Sequence, residues 1–178
     1  MKGLVLLNDG FEDTELIATI DVLKRGKFSI TLASMKEDLM VNSQYNVLIK
    51  ADELIKNINL DDYDFLMIPG GKAVVNYLSK DERVFEIIHY FANKKLVCAI
   101  CAAPSIIGKL GYFKDIEYTV FPGFEEGIEG IHKNQGVVVS KKFITAKSMY
   151  YSIEFALAIY EYFMGKECKK QLLKQLMA

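Results

Sequence analysis

The chain has 178 residues, of which 51% are hydrophobic and 25% are charged. This balance is typical of a folded protein with a sizeable core and argues against intrinsic disorder, so we expect a single domain over residues 1–178. With 22 basic and 23 acidic residues the formal net charge is −1, and no basic excess indicates a nucleic-acid partner. No apolar stretch approaches the length of a membrane span, so we also expect no membrane partner.

The cysteine content bears on the cellular compartment. The chain has three cysteines without the spacing of a metal site, so free thiols in a reducing cytoplasm are the simplest interpretation. The apolar run that follows Met1 ends at Asn8 and is too short for the core of a signal peptide. We therefore expect a cytoplasmic protein that holds no metal ion.

The first half of the chain alternates predicted strands and helices. An apolar run predicts a strand at Lys2–Leu7, which the polar loop 8–10 ends. Apolar residues at helical spacing then predict a helix that is capped by Asp13 or Thr14 and ends near Arg25. The pattern further predicts, in order, a strand over 28–33, a small hairpin or edge strand within 41–51, a buried strand at Phe65–Ile68, a helix up to Leu78 and a helix over 81–93.

The stretch around Cys101 organises the chain. An apolar run after a lysine pair predicts a buried central strand, and Pro104 suits the first turn of a helix that closes near Gly111. Cys101 then lies at the sharp turn between them, near the positive end of the helix dipole, which favours a thiolate. This is a cysteine version of the strand-to-helix nucleophile elbow. Spacing alone leaves open whether Cys101 is reactive or inert, whereas Cys98, inside the strand, is expected to be a packing residue.

The second half is predicted to contain, in order, a strand over 118–121, a glycine-rich acidic loop over 122–130, strands over 136–140 and 143–146, a buried helix over 153–163 and an amphipathic helix over 166–177. Strands that alternate with helices imply right-handed βαβ units and an α/β fold, with a mostly parallel sheet covered on both faces. Ligands of such folds bind beyond the carboxyl ends of the strands. The loops 8–15, 69–72 and 101–104 lie at such ends, so the candidate chemistry converges on one edge of the sheet.

The acidic residues of the first loop include one candidate for proton transfer. Glu15 either complements the helix dipole or faces the thiol across the sheet edge. In the second case, a partly buried carboxyl group would keep its proton more readily and could donate a hydrogen bond to a thiolate or move protons during chemistry. Glu12 and Asp13 are the alternatives, and we expect both to be solvated.

Gly70 and Gly71 follow a predicted strand directly. They either supply a turn with positive φ or present backbone N–H groups as an oxyanion hole beside the nucleophile, and both can hold at once. The chain has neither a GxGxxG nor a GxxxxGK[ST] motif, so nucleotide binding has no support. His89, expected in a helix, and His132, expected in a loop, are weak candidates for a catalytic base.

Four segments resemble one family. They are the first loop and helix (10–15 and 20–25), the glycine loop (66–71), the nucleophile segment (99–104), and the late helix with the residues that follow it (152–159 and 165–167). In these segments the chain is similar to the DJ-1/ThiJ/PfpI superfamily, and in particular to its DJ-1 branch. The segments are spread over the sequence, so the resemblance runs almost from end to end. Of the first three segments, the nucleophile segment is the most specific.

This resemblance implies a flavodoxin-like three-layer sandwich related to class I glutamine amidotransferase domains. It implies that Cys101 is the reactive, oxidation-sensitive cysteine, that Glu15 is a protonated carboxyl group beside it, and that the backbones of Gly70, Gly71 and Ala102 form the oxyanion site. It also implies a homodimer. Members of the family are described as acting on glyoxals, as deglycases, as redox sensors or as chaperones.

The chain departs from the family pattern where relatives carry a histidine. The protease-like branch has one directly after the cysteine, where this chain has Ala102, and the DJ-1 branch has one in a Thr-His-Pro segment, where this chain has Phe121. We therefore do not expect a Cys-His dyad or peptidase activity. A Gly-Pro-Gly-Thr loop of the family is replaced at 147–150, so the shape of the substrate pocket is expected to differ.

These observations predict a cofactor-independent enzyme, similar to glyoxalase III or a deglycase, that acts on small aldehydes through the Cys101 thiolate, with Glu15 moving protons. The alternative is a redox-sensing or chaperone-like stress protein whose cysteine is oxidised to sulfinic acid without turnover. A relative that has lost its activity is a third possibility, which Phe121 favours.

Overall fold

The computed structural model describes all 178 residues and is built around a seven-stranded sheet. The strands of the chain are β1 (Lys2–Leu7), β2 (Ser29–Ser34), β3 (Met40–Asn42), β4 (Leu48–Lys50), β5 (Glu53–Leu54), β6 (Phe65–Ile68), β7 (Leu96–Ile100), β8 (Glu117–Tyr118), β9 (Ile131–His132), β10 (Val137–Ser140) and β11 (Phe143–Ala146). The central sheet has the order β10-β11-β7-β6-β1-β2-β5. All its pairs are parallel except β10 with β11, so the predicted mostly parallel sheet is confirmed.

Helices cover this sheet. They are α1 (Asp13–Arg25), α2 (Lys72–Asn76), α3 (Glu82–Lys94), α4 (Pro104–Lys109) and α5 (Ser152–Leu176). α1 and α5 pack against each other, and α5 also contacts β7, β10 and β11, whereas α3 packs on β6 and β7. The result is an α/β three-layer sandwich of the flavodoxin-like type, as the sequence predicts.

The core lies on both sides of the central strands. It is one cluster of 51 buried residues, and every residue of β6 and β7 belongs to it. Strands that are buried on both faces need continuous apolar runs, which is why these segments are uniformly hydrophobic in the sequence. Phe28, Phe65 and Phe163 pack ring against ring at the amino-terminal end of the sheet.

The start of α1 differs from the prediction. The N-cap is Glu12, whose Oε2 accepts a hydrogen bond from the N–H of Glu15 at 2.7 Å, and neither Asp13 nor Thr14 caps the helix. The longer Glu side chain can reach this N–H, although shorter side chains are the usual caps. The cap therefore ties two of the acidic residues of the first loop together.

Two predictions for the second half need correction or refinement. The strand predicted over 118–121 ends at Tyr118. Beyond it, the N–H of Phe121 donates to the carbonyl of Cys101 and not to a neighbouring strand. The two predicted terminal helices are both present, and they are separated within α5 by Gly165, whose φ is 80°. Only glycine adopts this left-handed conformation readily.

The predicted hairpin within 41–51 is present as β3 and β4, which pair antiparallel. Its turn is held by Ser43, whose Oγ accepts hydrogen bonds from the N–H groups of Tyr45 and Val47. Phe11, in the first loop, forms β-bridges with both Ser43 and Gly71. The hairpin therefore stands beside the edge of the sheet where the candidate residues lie.

Candidate active site

Cys101 follows β7 directly and occupies a strained turn. Its φ is +64°, a left-handed conformation that L-residues other than glycine seldom adopt. Its N–H donates to the carbonyl of Ala146 at the end of β11, and α4 begins three residues later at Pro104. The strand, turn and helix thus occur in the predicted order, and the turn projects the thiol beyond the carboxyl end of the sheet.

Glu15 reaches the same place from the first turn of α1. The residue is fully buried, and its Oε2 accepts a 2.7 Å hydrogen bond from the N–H of Gly70, which follows β6. Its other carboxyl oxygen, Oε1, is buried and receives no hydrogen bond from a nitrogen or oxygen donor. The structure therefore brings together Glu15, Gly70 and Cys101, from three separate strand ends, as the convergence of the three loops predicts.

The two glycines serve different groups. The N–H groups of Gly71 and Ala102 act on the Cys101 sulfur, where they lower the pKa of the thiol. The N–H of Gly70 is instead engaged by Glu15, so Gly70 is not available as the oxyanion donor that the resemblance implies. A methyl group at Gly70 would lie 2.6 Å from Cys101 Cβ and 2.7 Å from Glu15 Oε2, which leaves room for glycine only. Gly71 has a φ of +90°.

The environment shifts the proton affinities of both ionisable groups upward. Burial raises the pKa of Glu15 to about 7, and the charge of Glu12 adds to the effect. Burial also raises the pKa of the Cys101 thiol, and the negative charge of ionised Glu15 raises it further. Burial and the charge of Glu15 thus oppose the helix dipole, which the sequence analysis expects to favour a thiolate at Cys101. When Glu15 carries its proton, this charge repulsion disappears. The protonation of Cys101 therefore depends on the protonation of Glu15, and the two groups titrate as a coupled pair.

Glu12 and Asp13, expected to be solvated, lie in the site instead. Glu12 is buried, and its pKa is raised by burial and by the charge of Asp13. Asp13 is half-buried; its Oδ1 accepts a 2.6 Å hydrogen bond from the hydroxyl of Ser43, and its Oδ2 is buried without a hydrogen-bond partner. The hairpin that carries Ser43 covers this part of the first loop, which local sequence patterns do not indicate.

No histidine approaches the thiol. The side chain at Phe121, whose N–H bonds the carbonyl of Cys101, lines the cavity in front of the sulfur and cannot take up a proton. His89 lies on α3, where its ring is hydrogen-bonded to the hydroxyl of Tyr112. His132 lies in β9, not in a loop. Neither histidine lines the cavity, whereas three carboxyl groups do, those of Glu12, Asp13 and Glu15.

A cavity of about 470 Å³ opens in front of Cys101. Its walls come from the first loop, the hairpin turn, the glycine loop and the segment before α5, and its eleven lining residues are Glu12, Asp13, Thr14, Glu15, Gln44, Tyr45, Gly71, Cys101, Phe121, Ser148 and Met149. The hairpin residues were missed by sequence reasoning, and only the polar turn composition around Asn46 hints at an exposed loop. No group of three His, Cys, Asp or Glu side chains is arranged to hold a metal ion.

The family model that describes the DJ-1/PfpI family matches residues 1–162. The chain belongs to this family. The superfamily resemblance noted in the sequence is thus confirmed, and membership supports a stress-related protein. No helix combines the length and the apolar character that crossing a membrane requires.

Known members of the DJ-1/PfpI family resemble the chain over most of its length. Protein DJ-1 homolog B of Arabidopsis thaliana is 33% identical over 174 residues, which are 96% of this chain but only 40% of that protein. Protein DJ-1alpha of Drosophila melanogaster is 29% identical over 99% of this chain and 83% of its own length. The chain therefore spans less than half of the Arabidopsis relative and most of the Drosophila one.

A solved member of the family has the same fold. The structure of oxidised DJ-1 of Toxoplasma gondii superimposes with a TM-score of 0.92 at 28% identity, and the match covers 99% of this chain and 97% of that one. The agreement extends over the whole sandwich, so the arrangement of the three loops around Cys101 belongs to a fold shared with that protein.

Proposed function

We propose that the protein is an enzyme that converts small reactive carbonyl compounds, 2-oxoaldehydes such as methylglyoxal, by nucleophilic attack of the Cys101 sulfur. The observation that supports this proposal is the fully buried Glu15 carboxyl group, held beside Cys101 by the N–H of Gly70 and with a pKa of about 7. A group whose pKa lies near the working pH can both accept and return a proton. Glu15 therefore supplies the base that the absent histidine would otherwise provide.

The first step forms a hemithioacetal. The sulfur of Cys101 bonds to the aldehyde carbon while the Glu15 carboxylate accepts the thiol proton, so the thiol need not ionise beforehand. The N–H groups of Gly71 and Ala102 stabilise the negative charge that develops on the aldehyde oxygen. Glu15 then returns the proton to that oxygen.

The remaining steps are proton transfers and a hydrolysis. Moving the aldehyde hydrogen, as a proton, from the first carbon to the neighbouring carbonyl carbon converts the hemithioacetal into the thioester of a 2-hydroxy acid. Water then cleaves the thioester, releasing the acid and restoring the Cys101 thiol. One substrate carbon is oxidised and its neighbour is reduced, so methylglyoxal and water give lactic acid, and the balance needs no cofactor and no external oxidant.

The test is turnover of methylglyoxal to lactate by the wild-type protein and by three variants. Cys101→Ser should reduce turnover to the rate without enzyme, and Glu15→Gln should lower kcat by at least about a hundredfold, the usual contribution of a general base. Cys168→Ser is the matched control, since Cys168 lies half-buried on α5 away from the cavity, and its rate should stay unchanged. Equal turnover by wild type and Cys101→Ser would refute the proposal.

A second candidate function is redox sensing without turnover, and the oxidised state of the Toxoplasma gondii relative favours it. In this function peroxide oxidises the Cys101 sulfur stepwise to sulfinic acid, and each step reduces one peroxide molecule to water. A protonated Glu15 would donate a hydrogen bond to the product. Stoichiometric oxidation at Cys101, detected by intact mass under limiting peroxide, together with no turnover of any 2-oxoaldehyde, would favour this function over the first.

We also propose a cytoplasmic homodimer. Family membership supports the dimer, and three free cysteines support the reducing compartment. Light scattering coupled to size-exclusion chromatography should give twice the mass of the 20.2 kDa chain. A mass of one chain at micromolar concentration would contradict the dimer.

A further inference from the structure

The cavity in front of Cys101 has an uneven charge. Of its eleven lining residues three are acidic, namely Glu12, Asp13 and Glu15, and none is lysine, arginine or histidine. The chain as a whole is almost neutral, with a net charge of −1, so the imbalance belongs to the cavity and not to the composition. A ligand that reaches Cys101 must therefore pass carboxyl groups without meeting a compensating positive charge.

Asp13 and Glu15 each leave one carboxyl oxygen without a hydrogen-bond partner, and Asp13 is the one of the two that lies outside the proposed catalytic pair. Its Oδ1 is fixed to the hairpin by the hydroxyl of Ser43 at 2.6 Å, but its Oδ2 is buried and has no hydrogen-bond partner. Glu12 and Glu15 each accept a backbone N–H at 2.7 Å, and the second oxygen of Glu15, Oε1, is buried without a partner. A carboxylate that no cation pairs with keeps a negative potential in the cavity that it lines, and this potential attracts cationic ligand groups and repels anionic ones.

The other walls of the cavity agree with this preference. Tyr45 and Phe121 present exposed aromatic side chains, and Met149 is also exposed. The negative faces of aromatic rings attract cations and tolerate neutral groups. The hydrogen-bond donors of the lining side chains, such as the hydroxyl groups of Tyr45 and Ser148, are neutral and compensate no negative charge.

We propose that the Cys101 cavity admits uncharged and positively charged molecules and rejects anions, with Asp13 as the residue that determines this selection. For the reaction this means neutral 2-oxoaldehydes, or carbonyl compounds that also carry an amine, and not 2-oxo acids. The statement about substrates rests on the proposed function, whereas the statement about the cavity is testable without any turnover.

The experiment measures modification of Cys101 by methanethiosulfonate reagents of similar size that carry a negative sulfonate, a positive trimethylammonium or no charge. Each reagent transfers its thio group to the thiol as a disulfide and releases methanesulfinate. Rates are followed by peptide-resolved mass spectrometry, so that Cys98 and Cys168 are distinguished, and are divided by the rates of 2-mercaptoethanol. The ratio of the cationic to the anionic rate is expected to exceed that of 2-mercaptoethanol by about tenfold at low salt and to fall at high salt.

Asp13→Asn should reduce this ratio several-fold, because the amide keeps the acceptor for Ser43 but removes the charge. Asp21→Asn is the matched control, since it removes the same charge from an exposed position on α1 that pairs with Arg25 and does not line the cavity. A wild-type ratio equal to that of 2-mercaptoethanol, or faster anionic modification, would overturn the proposal even if Asp13→Asn failed to fold. Equal ratios in folded Asp13→Asn and in Asp21→Asn would remove Asp13 as the determinant.

The two proposals fail separately in these assays. Charge selectivity without turnover of methylglyoxal would refute the proposed function and leave the selection by the cavity supported. Turnover of methylglyoxal without charge selectivity would support the proposed function and refute the selection by the cavity. Turnover of glyoxylate as fast as that of methylglyoxal would contradict the substrate class.

Discussion

The N–H of Gly70 donates a 2.7 Å hydrogen bond to Glu15 Oε2 across 55 residues of sequence. This bond fixes a fully buried carboxyl group beside the strained turn at Cys101. Hydrogen bonding to Gly70 lowers the pKa of Glu15, while burial raises it more, and the balance lies at about 7. The position and the proton affinity of the proposed base therefore both depend on one backbone amide.

Substitution of Gly70 tests this dependence. In Gly70→Ala the new methyl group would meet both Cys101 Cβ and Glu15 Oε2, so we expect a loss of about 1–3 kcal/mol in the free energy of unfolding and a clear fall in the alkylation rate of Cys101. Gly123→Ala is the control, because its φ of +90° costs about 1 kcal/mol but no atom lies within 4 Å of the new Cβ. Urea unfolding and iodoacetamide labelling check both. A Gly70→Ala protein that labels as fast as Gly123→Ala would show that the amide does not position Glu15.

The pH dependence of alkylation at Cys101 should reflect Glu15. In the wild type the rate with iodoacetamide is expected to rise as pH increases through about 7, because the ionised carboxylate can then accept the thiol proton. In Glu15→Gln this inflection should disappear. The thiol pKa should then fall relative to wild type, since the negative charge that raises it is gone. Superimposable profiles would mean that the two groups are not coupled.

Stability should also depend on Glu15, with a definite sign. The folded protein raises the pKa of this carboxyl group from 4.5 to about 7, so the folded state binds the proton more tightly than the unfolded state. The resulting stabilisation is complete below pH 4.5 and is lost as pH rises through 7, by up to about 3 kcal/mol. The difference in unfolding free energy between wild type and Glu15→Gln, measured in urea from pH 4 to pH 8, should decline accordingly. A difference that is constant over this range would indicate an ordinary pKa for Glu15.

Phe121 offers a gain-of-function test. Its side chain is 41% exposed and lines the cavity, and its N–H bonds the carbonyl of Cys101. Phe121→His should therefore place an imidazole in front of the thiol and raise the alkylation rate at pH 7 by roughly tenfold or more, because histidine acts as a base at that pH. Phe121→Leu controls for the loss of the aromatic ring. Equal rates in the two variants would show that the side chain at position 121 does not reach the sulfur.

Local patterns were sufficient where a residue's neighbours in sequence are also its neighbours in space. The apolar runs of β6 and β7, the position of Pro104 at the start of α4 and the break at Gly165 follow from rules that act over a few residues. The strand-to-helix turn at Cys101 was predicted for the same reason, and its φ of +64° agrees with a sharp elbow. The two-residue strands β5 and β9 carry too little pattern to be seen in this way.

The sequence by itself determined the order of strands and helices, the mostly parallel sheet and the three loops that carry Cys101, Glu15 and the two glycines. Only the tertiary structure decided how these groups act on one another. Burial of Glu15 and its bond with Gly70, and the covering of Asp13 by the hairpin at Ser43, join residues that are tens of positions apart. Burial and long-range hydrogen bonds set proton affinity and charge, so no local pattern could assign the thiol its raised pKa or the cavity its negative lining.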